Sequence, residues 1–353
     1  MKVQPRVAPV RRALRPIARP LKRAAWRAGV ERDVLRSRAR LIDLGVFHEF
    51  VPPPGGGGNQ ALRAVLWELE RRGVRVALNA LGPSARACLF NSFNFDARRL
   101  ELMARHARDA CRMVHRVGAV TSLYRGVDDG TDALVAGINH RFADATLAIS
   151  HATIEMYRSI EIELVSPRVV YNACDPRIFH RNGRIPFSRD RKIRLIASSW
   201  SDNPRKGGSA YRWLAQQLDH ERFEFTFVGR TSVPLERIRH VPPVPPEELA
   251  ELLRQHDIFV TATENDAYSN ALVEALSCGL PALYLDSGGS GEAVKDAGFA
   301  FTEREQIPEL LERLIDEYEE RQAAISLPTL GEIADGYLEL LGLDEFVGIR
   351  VAG

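Results

Sequence analysis

Residues 257–281 read Asp-Ile-Phe-Val-Thr-Ala-Thr-Glu-Asn-Asp-Ala-Tyr-Ser-Asn-Ala-Leu-Val-Glu-Ala-Leu-Ser-Cys-Gly-Leu-Pro, and they constrain the fold more than any other stretch. The run 257–263 is short, apolar and β-branched, the composition of a strand covered on both faces of a parallel sheet. Ser269 suits the N-cap of a helix that starts at Asn270 and stops before Gly279 and Pro281. Free N–H groups at such a helix start, together with its dipole, make an anion site suited to a diphosphate. Asp266 in the loop and Glu274 about one turn inside the helix flank that anion. Carboxylates repel phosphate, so their natural partners are the hydroxyls of a ribose and a sugar. The same residues also describe an ordinary strand-to-helix turn with Glu274 on a solvated helix face.

Strand-like and helix-like segments alternate along most of the chain. In the first half the strand candidates are 42–47, 74–78, 87–91, 111–115, 145–150 and 169–171, with helices between several of them at 59–72, 96–108 and 152–159. Polar residues 175–191, with Pro176 and Pro186, read as a linker. The second half restarts with strands at 193–199, 223–228, 258–262 and 282–285 and closes with acidic helices over 307–341. Alternation of this kind means βαβ units, right-handed crossovers and parallel sheets. The expected fold class is α/β, with two facing, Rossmann-like, doubly wound domains and a cleft between them. The expected division is a basic arm over 1–41, a first domain over 42–185, a second over 186–325, and a C-terminal helical segment over 326–353 that can cross back to the first domain. A length of 353 residues fits two domains, and 45% hydrophobic with 27% charged residues fits a soluble globular protein.

No stretch is apolar enough to cross a bilayer, and Arg and Pro recur where a secretory signal needs an apolar core, so a cytoplasmic address is expected. Cys88, Cys111, Cys174 and Cys278 are scattered without a C-x-x-C pair, which implies reduced thiols rather than a zinc site or a disulfide framework. The net charge of +2 hides an asymmetry: residues 1–41 hold 13 of the 48 Lys and Arg but only two of the 46 acids, leaving 35 basic and 44 acidic residues in the body. Val10, Leu14, Ile17, Leu21 and Ala25 recur at helical spacing in this arm, although Pro9, Pro16 and Pro20 interrupt a continuous helix. A basic, partly amphipathic arm can rest on an anionic membrane surface, which would make the protein peripheral at the inner face of the membrane. A solubilising tail is the plain alternative, and nucleic acid is the least favoured partner.

Ligands in doubly wound sheets bind outside the carboxyl ends of the strands, so the site is expected in the loops that follow them. After the first strand comes Phe50-Val-Pro-Pro-Pro-Gly-Gly-Gly-Gly-Asn-Gln60, in which Gly57, Gly58 and Asn59 permit close backbone approach at a helix start. After the first strand of the second half, Arg205 and Lys206 offer a forked and a point cation to a diphosphate. His115 ends a candidate strand and would reach into the cleft as a donor or proton carrier, or would be a structural histidine. Asp286-Ser-Gly-Gly-Ser-Gly-Glu292 is a second glycine-rich turn, placing Gly288 and Gly289 before another helix.

Together these pieces resemble the GT-B glycosyltransferases, specifically the large retaining family 4, the glycosyl transferases group 1, over roughly residues 42–345. Asp266 and Glu274 take the two ends of a Glu-x7-Glu element with its first acid shortened to Asp, followed by the familiar sequel Glu274-Ala-Leu-Ser-Cys-Gly-Leu-Pro281. Gly56-Gly-Gly-Asn-Gln60, Val170-Tyr-Asn-Ala-Cys-Asp-Pro-Arg-Ile-Phe179, Arg205-Lys-Gly207 and Gly288-Gly-Ser-Gly-Glu292 are similar too. The resemblance implies transfer of a sugar from a nucleotide-diphosphate sugar to a glycan or lipid-linked acceptor, with retention, without a metal and with no cofactor. It also implies the roles: Glu274 on the ribose, Arg205 and Lys206 on the diphosphate, Ser269 and Asn270 backbone on phosphate or sugar, Asp266 near a sugar hydroxyl, and His115 approaching the transferred sugar. Base recognition falls to the loops around Val228-Gly-Arg230 and His240-Val-Pro-Pro243. A metal-dependent GT-A transferase using Glu264 and Asp266, a nucleotide-sugar epimerase on the same fold, and a non-catalytic sugar-nucleotide-binding scaffold are the rivals, the last drawing on the altered loop Gly118-Ala-Val120 after the histidine.

Overall fold

The computed structural model describes residues 15–38, 40–52, 56–107 and 111–344. The first domain comprises α1 (Arg15–Arg38), β1 (Leu44–Phe47), α2 (Gly57–Arg71), β2 (Val76–Leu78), β3 (Ala87–Asn91), α3 (Ala97–Ala104), β4 (Arg112–Val117), α4 (Thr121–Arg125), α5 (Thr131–Phe142), β5 (Ala145–Ala148), α6 (His151–Ser159) and β6 (Pro167–Val169). The second comprises β7 (Ile193–Ser199), α7 (Gly208–Gln217), β8 (Phe223–Gly229), β9 (Arg239–Val241), α8 (Pro246–Arg254), β10 (Ile258–Thr261), α9 (Asn270–Ser277), β11 (Ala282–Leu285), α10 (Ser290–Val294), β12 (Gly298–Phe301), α11 (Ile307–Asp316) and α12 (Tyr318–Ala323), and the chain then ends in α13 (Leu330–Leu341).

Each domain is built on a six-stranded parallel sheet, in the orders β2-β1-β3-β4-β5-β6 and β12-β11-β10-β7-β8-β9. Central strands such as Leu44–Phe47 and Ile258–Thr261 are buried at every position, because helices cover both faces and no polar face is left for alternation. In the second sheet the chain order reverses between β7 and β10, and in the first between β1 and β3. These reversals splay the following loops apart and open a crevice beyond the carboxyl ends of the strands. Both crevices face the groove between the domains, so the fold aims its loops at one place. This is the two-domain GT-B architecture.

Residues 15–38 form one helix despite Pro16 and Pro20. Pro16 sits in the first turn, where an N–H has no intrahelical acceptor to lose. Val30 and Val34, one turn apart, are buried beside Phe47, Leu81 and Phe95, and Asp33 pairs with Arg99 of α3 at 2.8 Å. The C-terminal half of the expected arm is therefore packed on the first domain, while residues 1–14 lie outside the described residues. At the other end α13 lies on the first domain rather than the second. Arg112 Nε donates to Leu340 O at 2.6 Å, and Arg72 pairs with Asp335. No helix among the described residues is long and apolar enough to cross a membrane.

Candidate functional site

A cavity of about 370 Å³ lies between the two domains at the joint mouth of their crevices. Its first wall comes from the loop after β1 and the start of α2. Gly56 occupies the N-cap of α2 and has no side chain to satisfy the first-turn N–H groups, so those of Gly57 and Gly58 remain for a ligand. Its second wall is the start of α9, where Ser269 caps the helix by accepting from Leu272 N. The two helix starts meet closely: a Cβ on Gly57 would lie 2.5 Å from Asn270 Cβ. Only glycine lets the domains approach this far, and their two positive dipole ends converge on the same space. Gly57→Ala is expected to hold the cleft open and weaken ligand binding about tenfold with little loss of stability. Small-angle scattering and ligand titration on the variant check this, and an unchanged radius with unchanged affinity would count against it.

Lys206 supplies the charge. The sequence Asn203-Pro-Arg-Lys forms a 3-10 turn after β7, capped by Asn203 and ended by Gly207 in the left-handed region. Its Nζ sits 2.9 Å from Asp266 Oδ2 and 4.5 Å from the ring centre of Tyr124 in the first domain. Burial works against the ammonium, but the Asp266 carboxylate and the Tyr124 oxygen outweigh it and hold its pKa above the ordinary lysine value. The lysine is therefore a fixed cation at the cavity wall. Opposite in character is Glu274, 8% exposed and facing the cavity, whose carboxylate has no partner among the described residues. Burial raises its pKa to about 8, so at neutral pH it carries a proton that a hydroxyl-rich ligand could replace with hydrogen bonds.

The structure brings Gly57, Gly58, Asn59, Lys206, Asp266, Ser269, Asn270 and Glu274 to this one cavity. It does not bring His115 there. The strand β4 runs on to Val117, so His115 lies within it instead of at its end, and the strand's twofold period turns the ring away from the cleft. The imidazole is 0% exposed, stacks on Phe90 with centroids 4.7 Å apart, donates from Nε2 to Ser92 O at 2.8 Å and accepts at Nδ1 from Asn139 at 3.1 Å. Burial pushes its pKa down to about 4. Arg205 also stays off the cavity wall. It spans the cleft edge instead, donating to Leu123 O and lying 3.8 Å from Glu264.

Gly288 and Gly289 act from behind. A Cβ on either would strike the backbone oxygen of Asp266 or Ala267, at 2.2 and 1.8 Å, so they let the turn support the 266–267 loop without touching the cavity. The same turn sends Glu292 across the domains to accept from His151 N and Ala152 N at 2.9 and 2.7 Å, capping α6. Residues that the sequence did not single out complete the walls: Tyr124, Phe179, Trp200 and Tyr268. Trp200 had a readable signal, since it is the first residue beyond β7 at the reversal point. Arg230 stacks over it at 4.3 Å, beside Val228, Gly229, Pro243 and Val244 at the far end of the cavity.

Residues 233–326 match the family described as glycosyl transferases group 1. A D-inositol 3-phosphate glycosyltransferase of Nocardia farcinica is 34% identical over 61 residues, which is 17% of this chain and 14% of that protein's length. Among solved structures, the catalytic domain of starch synthase IV from Arabidopsis thaliana, bound to ADP and acarbose, is similar with a TM-score of 0.63 at 13% identity, covering 86% of this chain and 99% of that one. HepE of Anabaena in complex with UDP-glucose is similar with a TM-score of 0.58 at 14% identity, covering 89% and 100%. With TM-scores above 0.5 over most of both chains, these likenesses agree with a fold of two parallel six-stranded sheets. The chain thus carries a glycosyl transferases group 1 domain over residues 233–326, set within a GT-B fold.

Proposed function

We propose that this chain is a glycosyltransferase that takes a sugar from a nucleoside-diphosphate sugar bound in the interdomain cavity. One observation carries the reading: the starts of α2 and α9, from opposite domains, converge on a single cavity that also holds a fixed cation, Lys206, and one unpartnered carboxylate, Glu274. N–H dipoles and a cation suit the diphosphate, which gains charge as it leaves, and they need no reorganisation at that moment. Glu274 then takes the ribose hydroxyls, and Asp266, held by Lys206, lies where a sugar hydroxyl would sit. Trp200 with Val228, Gly229 and Pro243 forms the base end. Two similar structures support a nucleotide in such a fold, HepE in complex with UDP-glucose and the starch synthase IV domain bound to ADP.

Retention of configuration, independence of metal, and a glycan or lipid-linked acceptor belong to the same proposal. So does a peripheral position on an anionic inner membrane face, with Arg27, Arg32, Arg36 and Arg40 exposed along the N-terminal stretch. Turnover of a nucleotide-sugar panel, with and without a chelator, tests the core of it. A sugar released or transferred from one donor at an unchanged rate in chelator is expected, and a rate abolished by chelation and restored by a divalent cation contradicts metal independence. One observation favours a second reading, a sugar-nucleotide binder that does not transfer: His115 is sealed away from the cavity. Donor binding with neither hydrolysis nor transfer across an acceptor panel would mark that outcome.

A further inference from the structure

Arg116 lies next to His115 in β4 but points to the opposite face of the sheet, and is 5% exposed. Among the described residues no carboxylate pairs with it. Its guanidinium is held entirely by neutral oxygens: Nη1 donates to Asn91 Oδ1 at 2.6 Å, Nη2 to Asn172 Oδ1 at 2.6 Å, and Nε to Tyr337 OH of α13 at 2.9 Å. A guanidinium has donors only, so each asparagine must turn its oxygen toward Arg116 and its NH2 away. That forced direction then propagates.

On one side Asn91 Nδ2 donates to His48 Nδ1 at 3.1 Å, which puts the ring proton on Nε2, and His48 Nε2 donates to Asn59 Oδ1 at 3.0 Å. On the other side Asn172 Nδ2 donates to Asn270 Oδ1 at 3.1 Å. Both chains end on asparagines whose oxygens are occupied, and both asparagines line the cavity, one on each domain's wall. Their free ends are therefore NH2 groups. We propose that Arg116 is a positioning residue that fixes the direction of two buried hydrogen-bond relays, so that Asn59 and Asn270 present amide donors, not carbonyls, to an acceptor-rich anion in the cavity. This rests on the diphosphate reading given above, and it adds what sets the polarity of the walls.

The two relays start from one side chain and end on opposite domains, so the same residue keeps both walls matched. His48 takes part only as the neutral ring, and its burial and the nearby Arg116 charge both hold its pKa below the ordinary histidine value. A buried network of this kind is either satisfied throughout or costly, which makes its direction a property of the whole and not of any pair.

Inorganic pyrophosphate titrated into the full chain by calorimetry tests the relay. Arg116→Lys keeps a donor-only cation and is expected to bind within about threefold of the parent, whereas Arg116→Met is expected to lose about tenfold or more. Asn172→Asp keeps the acceptor that Arg116 needs and pairs with it, yet it can no longer donate to Asn270. A protein that folds normally and still binds pyrophosphate about tenfold more weakly, in low and in high salt, is the expected result. Binding unchanged in Asn172→Asp, a loss that high salt erases, or equal losses in Arg116→Lys and Arg116→Met would each overturn the relay while leaving the diphosphate site standing. A parent protein that binds no pyrophosphate would overturn both.

Discussion

Lys206→Ala is expected to lower turnover of the nucleotide-sugar donor by about 100-fold or more, the loss typical of removing one fixed electrostatic contact from a developing charge. The side chain sits at the cavity wall between Asp266 and the Tyr124 ring, so its charge is aimed and its cost in ordering is already met by the fold. Removing it also strands the Asp266 carboxylate, which is largely buried, and an orphaned carboxylate destabilises by about 3 kcal/mol in such a setting. The two effects separate in the double variant. Lys206→Ala with Asp266→Asn should recover thermal stability, because no charge is left unpaired, but it should not recover turnover. Steady-state kinetics beside thermal melts make the comparison; turnover restored together with stability would assign Lys206 a purely structural task.

Glu274→Gln should weaken donor binding while making the free protein more stable, and the gain should grow with pH. In the unfolded chain this carboxyl titrates near 4.5, whereas burial holds it at about 8 in the folded state. Between those values the folded protein keeps a proton that the unfolded chain has released, so stability falls as pH rises through that window and levels off above about 8. Glutamine has no such proton to keep. The variant should therefore melt at nearly the parent's temperature at pH 5 and above it at pH 8, by an amount on the order of 3–5 kcal/mol. Donor affinity should drop by about tenfold at the same time, since a buried carboxylate that accepts from two hydroxyls is replaced by an amide with one acceptor. Melting curves that stay parallel from pH 5 to pH 8 would show that Glu274 is not held neutral by the fold. A stable variant with lower affinity is what a site kept for a ligand at the expense of stability should give.

Much of this architecture is readable because a parallel sheet leaves a simple trace. The strands at 87–91, 193–199 and 282–285 are found where the apolar runs lie, since burial on both faces admits little else. The strands over Arg239–Val241 and Gly298–Phe301 both lie at sheet edges and are harder to read: the first is exposed enough to carry Arg and His, and the second is a short Gly-Phe-Ala-Phe run half made of weak strand formers. The N-terminal helix escapes the reading for another reason. Its prolines lie in the first turns, and what fixes the helix is the burial of Val30 and Val34 against α3, which only the tertiary fold supplies.

The site divides the same way. Ser269, Asn270 and Glu274 are legible because a strand, a loop and a capped helix occur in one continuous stretch. His115 misleads because a strand's end is set by pairing, and β4 continues to pair with β5 through Val117. Arg116, Asn91 and His48 show no local pattern, and Asn172 stands out only as part of the 170–179 segment. Arg116 meets Asn91 and Asn172 at separations of 25 and 56 residues, so their connection exists only once the first domain is folded.

The central claim is that a diphosphate sits between the starts of α2 and α9 beside Lys206. Calorimetric titration with uridine, guanosine and adenosine, and with the mono- and diphosphate of each, tests it most directly. For one of the bases the diphosphate should bind at least about tenfold tighter than the monophosphate, and that difference should vanish in Lys206→Ala. Diphosphates that bind no better than their parent nucleosides for every base would contradict it.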